Sequence, residues 1–81
     1  MPLAKPWRDF ERSLVGRVPE RWGVLELGDD DGGVLEIRAG VLRDEYKEAL
    51  AYGRAARVRW EERPSERAAE ELAAEHRDRI G

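Results

Sequence analysis

Two short stretches of strict two-residue alternation, separated by glycines and aspartates, constrain this chain more than any other feature. Leu25 and Leu27 alternate with Val24 and Glu26, and Leu35 and Ile37 alternate with Val34, Glu36 and Arg38. Side chains on an extended backbone point to opposite faces in turn, so each stretch reads as a strand. Between them, Gly28-Asp29-Asp30-Asp31-Gly32-Gly33 carries tight-turn chemistry, which makes the pair a β-hairpin. Three adjacent aspartates also invite a calcium reading. That reading fails on spacing, because an EF-hand loop wants an oxygen ligand where Gly33 stands and a glutamate where Gly40 stands. With Leu25, Leu27, Leu35 and Ile37 taken to share one face, Glu36 is expected on the other.

The apolar period lengthens on either side of the hairpin. Trp7, Phe10, Leu14 and Val15 recur at helical steps until Gly16, and Val18-Pro19 then forces an extended entry to the first strand. Residues 41–52 place Leu42, Tyr46, Ala49 and Leu50 on one stripe, with Gly53 as the stop. Ala56, Val58 and Trp60 alternate with Arg57, Arg59 and Glu61 as a third strand. Pro64-Ser65 opens a last helix whose stripe is Ala69, Leu72, Ala73, His76 and Ile80.

The fold class is therefore α+β, a three-stranded, mainly antiparallel sheet with flanking helices in the order α-β-β-α-β-α. One helix cannot shield both faces of a sheet, so the helices must divide the covering. A crossover through the 41–52 helix makes the third strand parallel to the second, with the first between them. One domain spans 1–81, with a helical extension at 1–17 and a core at 18–80.

Composition removes whole classes of function. Without cysteine there is no disulfide, thiolate zinc site or Cys nucleophile. No apolar run approaches membrane-span length, and Met1 to Phe10 lacks the apolar core of a signal peptide, so a cytoplasmic protein with no membrane partner is expected. The 15 basic and 18 acidic residues are interspersed, and the net charge of −3 offers no global attraction for nucleic acid. Arginine dominates lysine, and Asn and Gln are absent. Both a thermophile and a GC-rich genome would produce that bias, and a melting temperature well above about 50 °C is expected.

Few residues suit site chemistry. His76 is the single histidine and lies on an apolar stripe, which suits packing better than catalysis. Tyr46 falls on the Leu42–Leu50 stripe as core, and Tyr52 lies at the helix rim. The basic cluster Arg54, Arg57, Arg59 and Arg63, with Trp60 among them, is the nucleic-acid candidate. Against it stands an inward Trp60, with the arginines paired to Glu61, Glu62 or Glu66. Two edge strands and three tryptophans leave homodimerisation or a protein partner open, with Trp7 or Trp22 as the interface residue.

Val18-Pro19, Gly23-Val24-Leu25-Glu26-Leu27, a Gly/Asp turn, Val34-Leu35-Glu36-Ile37 and a helix opening Val41-Leu42-Arg43 together resemble the GIY-YIG nuclease superfamily. The resemblance covers residues 18–80 and implies a β-β-α-β-α core. It also implies phosphodiester hydrolysis with one divalent metal, in which a tyrosine handles the attacking water, an arginine stabilises phosphate charge and a late-helix glutamate holds the metal. This sequence departs from that pattern at each role. The first tyrosine slot holds Leu25, the second Glu36 or, one residue earlier, Leu35, and the helix arginine slot holds Glu45. Glu36, Arg43 and Glu75 are the remnant-site candidates, with Glu71 the other glutamate that suits the metal role. The expectation is a non-catalytic GIY-YIG-like binding or interaction module without cofactor or metal. A diverged endonuclease or a homodimeric structural protein is the alternative.

Overall fold

A computed structural model describes residues 6–53 and 55–80. Strand β1 (Arg8–Asp9) leads into a 3₁₀ helix (Arg12–Arg17), followed by β2 (Trp22–Gly28), β3 (Val34–Val41), α1 (Leu42–Tyr52), β4 (Arg57–Glu62) and α2 (Glu66–Ile80). The four strands run in the order β1-β4-β2-β3, and every neighbouring pair is antiparallel. With β3 and β4 both antiparallel to β2, they are parallel to each other on either side of it, as the crossover argument requires.

The hairpin turn forms as its residues dictate. Asp29 N–H donates to the Gly33 carbonyl at 2.9 Å, Gly32 N–H donates to the Asp29 carbonyl at 3.1 Å, and Gly32 takes φ 83°. This is a three-residue loop closed by a glycine in the left-handed region, where other residues are strained. The Asp29 carboxylate accepts from the N–H groups of Asp31 and Gly33, so its charge serves the turn.

Both sheet faces are covered. On one, Leu25, Leu27 and Val58 pack with Leu42, Tyr46 and Ala49 of α1, with Val18 and with half-buried Phe10, Leu14, Val15 and Trp60. On the other, Val24 and Ile37 pack with Ala69 and Ala73 of α2. Alanine at both positions lets the helix approach the sheet closely. Ser65 Oγ caps α2 by accepting from Ala68 N–H at 3.1 Å.

Three expectations need correction. The first strand-forming segment is β1, so the sheet has four strands rather than three. The N-terminal helix is reduced to six residues of 3₁₀ type, because the open edge of β4 offers unpaired backbone that β1 satisfies, continued by Phe10 N–H to the Ala56 carbonyl at 3.0 Å. A helix of nine or so residues is marginal alone, and edge pairing outweighs it. Trp7 accordingly parts company with Phe10, Leu14 and Val15. Its ring lies over Arg59, whereas the other three join the α1-side core.

The third correction concerns the hairpin register. Leu27 faces Glu36 and Leu25 faces Arg38, with a register shift between Leu27 and Gly28. Cross-strand partners share a face, so Glu36 lies on the Leu25/Leu27 side and Ile37 on the other. Leu35 remains 55% exposed on the edge strand.

Candidate functional site

The most unusual chemistry lies under α2. Glu26 occupies the middle of β2 and pairs across the sheet with Ile37 on one side and Arg59 on the other. Being on the central strand beneath a helix, it is completely buried. Its Oε1 accepts from Arg59 Nε at 2.6 Å, and its Oε2 lies 3.2 Å from Nδ1 of His76, itself only 5% exposed. The Trp7 ring closes the cluster, with its centroid 3.9 Å from the Arg59 guanidinium carbon. Gly28 makes room for that ring, since a Cβ there would come within 2.7 Å of it.

A buried carboxylate is tolerable only when paired and hydrogen-bonded, and Glu26 meets both conditions. A catalytic base, by contrast, must come within hydrogen-bond reach of its substrate. With no exposed surface, Glu26 is built for internal recognition between β2, β4 and α2.

A second charge cluster lies on the α1 side. Arg38 reaches Glu36 at 3.0 Å, Glu48 at 3.4 Å and Glu45 at 3.5 Å. Burial pushes the Glu45 carboxyl above its ordinary range, and Glu48, Asp44 and Glu36 add to that push against the pull of Arg38. Burial alone would lower the Arg38 pKa. The Glu36 hydrogen bond and the surrounding carboxylates outweigh it and hold the guanidinium above its usual value. Tyr46 is fully buried, and its hydroxyl donates to the Glu11 carbonyl at 2.6 Å and accepts from Glu11 N–H at 3.2 Å. Burial raises its pKa, partly offset by that backbone hydrogen bond.

The remnant-site residues go to separate places. Glu36 joins Arg38. Arg43 Nε donates to the Val18 carbonyl at 2.8 Å, and its Nη1 meets Glu20 at 2.5 Å. Glu75 sits on α2, across the sheet from both, and Glu71 of the same helix pairs with Arg67 at 3.1 Å. Of the basic cluster, Arg57 pairs with Asp9, Arg59 with Glu26, and Arg63 with Glu61, while Trp60 packs against the core. Arg54 lies outside the described residues. No group of three or more acidic or histidine side chains among the described residues is arranged to hold a metal.

Alternation places Glu26 with Val24 on the face opposite Leu25 and Leu27, and spacing alone does not mark it as buried. The available signal was the division of helices over both faces, which buries even the alternate positions of a central strand. His76, on the apolar stripe of α2, was the matching half of that signal.

Fold and site together define a small α+β domain, its antiparallel sheet covered on both faces and one cover pinned by a buried ionic cluster. Over residues 1–79 the chain matches the family model described as a domain of unknown function, DUF7508, and it belongs to that family. No curated protein and no solved structure matches the chain. Among the described residues, no helix is long and apolar enough to cross a membrane.

Proposed function

We propose that this domain is a non-catalytic interaction module built on a GIY-YIG-like frame. The run from β2 to α2 supports that frame, since it follows the order strand, strand, helix, strand, helix. The observation that carries the non-catalytic reading is the state of Leu25. It stands in the slot of the first tyrosine, is completely buried in the α1-side core and offers no proton acceptor. The charged residues nearest the other roles are engaged internally, Glu36 and Glu45 by Arg38 and Arg43 by Val18 and Glu20. A phosphate approaching Glu45 would meet negative charge where the resemblance calls for a guanidinium.

The direct test incubates pure protein with supercoiled plasmid and Mg²⁺ or Mn²⁺. Intact plasmid is expected. Nicking that disappears in Glu75→Ala would overturn the reading and restore the diverged endonuclease.

A further inference from the structure

We propose that the groove between the 3₁₀ helix and α1 docks an acidic amphipathic helix of a different protein chain, an inference that rests on the interaction-module reading above. The groove follows from helical geometry. Residues three apart eclipse one another in a 3₁₀ helix, which aligns Arg12 with Val15. Lys47, Leu50 and Ala51 share one stripe of α1 at three- and four-residue steps. These five residues line a cavity of about 320 Å³. Val15 and Leu50 are only half-buried and pack against the α1-side core, so the floor is an open extension of that core.

Charge identifies the occupant. Among the described residues, arginine after arginine is engaged: by a carboxylate, as in Arg21–Glu62 and Arg43–Glu20, by a carbonyl, as in Arg77 to Ile37, or by a ring, as in Arg8 over Trp60. The side chains of Arg12, Arg17 and Lys47 have no such partner among those residues. In a chain whose acids outnumber its bases by 18 to 15, three unpaired cations on two adjacent elements run against the surplus. Two of them rim the apolar floor. Aliphatic anchors flanked by carboxylates complement such a groove, and an amphipathic helix presents them at i and i+4. A nucleic-acid strand would satisfy the cations but leave an aliphatic floor that lacks a stacking ring.

A second copy fits less well. The longest helix with exposed acidic residues among the described residues is α2, where Glu66 and Glu70 lie one turn apart. Because α2 covers the opposite sheet face from α1, an α2-in-groove contact would be head-to-tail and would build a ring or a filament, not the twofold dimer that is commonest among small proteins.

The probe is a synthetic leucine–glutamate peptide with leucines at i and i+4, titrated into ¹⁵N-labelled protein beside a scrambled peptide of equal composition. Saturable shifts are expected at the amides of Val15, Lys47, Leu50 and Ala51, with the scrambled peptide inert. R12E/K47E should weaken binding by about tenfold or more, and Lys47→Ala, at an exposed position, severalfold should the double variant unfold. Absence of saturable shifts, equal binding of the scrambled peptide or unchanged affinity in the folded variant would overturn the proposal. So would a short DNA duplex that shifts the same amides while the peptide does not. Plasmid nicking is a separate readout, so loss of the groove and loss of the interaction-module reading are distinguishable.

Discussion

Replacing Glu26 with leucine isolates what the buried cluster contributes. Leucine roughly preserves volume, so the loss is electrostatic rather than a cavity. Arg59 would keep its charge with a side chain only 12% exposed beneath Trp7, and its acceptor at 2.6 Å would be gone. Removing one partner of a buried ion pair costs about 3–5 kcal/mol. A domain of this size holds roughly 4–12 kcal/mol in total, so the variant loses a large share of its stability. At about 4–8 °C per kcal/mol, the melting temperature should fall by roughly 12–40 °C. Thermal melts followed by far-ultraviolet circular dichroism measure the shift. Glu26→Leu/Arg59→Leu is the control, because replacing both charges with apolar residues is often neutral or stabilising. The double variant should therefore recover most of the loss. A single-variant drop of less than about 4 °C would mean that water or the other neighbours of Arg59 take the place of Glu26 at little cost. A double variant no more stable than the single would equally refute the reasoning.

Two further outcomes are expected from the packing. Gly23→Ala should cost about 1–3 kcal/mol in urea denaturation, because a Cβ there collides with the Glu61 carbonyl and lies 2.9 Å from Leu42 Cδ1. Gly16→Ala, with nothing within 4 Å, should be neutral or slightly stabilising, and equal costs at the two sites would contradict the close-approach explanation. Glu45 is held above its ordinary pKa, so the folded chain keeps its proton to higher pH than the unfolded chain, and the associated stability is lost as pH rises through the folded value. Glu45→Gln should therefore gain on the parent chain between about pH 3 and pH 7, and melting temperatures in which the parent gains instead would show that Arg38 outweighs burial.

Much of the fold was legible in particular residues. Leu42, Tyr46 and Ala49 are buried as their stripe requires, Ser65 caps α2, and the Gly/Asp run closes the hairpin. The inward Trp60 and paired Arg63 were also readable, since apolar alternation and local Arg/Glu mixing are near-neighbour properties. Trp7 misled because its spacing from Phe10 is helical, whereas an edge of β4, about fifty residues further along, recruits the segment into the sheet. Glu36 misled because a single register shift decides which face a strand residue takes. The groove was partly visible, as Lys47, Leu50 and Ala51 lie on one helical stripe, but nothing local places Arg12 and Val15 opposite them.

The sequence by itself determined the period of each long element, the turn and the caps, because these depend on residues within a few positions of one another. It also removed thiol chemistry outright. Only the tertiary structure decided that Glu26 meets Arg59, 33 positions away, and His76, 50 positions away. Strand register and helix docking set those encounters, and both are chosen by the packing of the whole sheet. The same packing left Arg12, Arg17 and Lys47 without partners among the described residues while it engaged Arg57, Arg59 and Arg63, so which cations stay available to another molecule is a property of the fold.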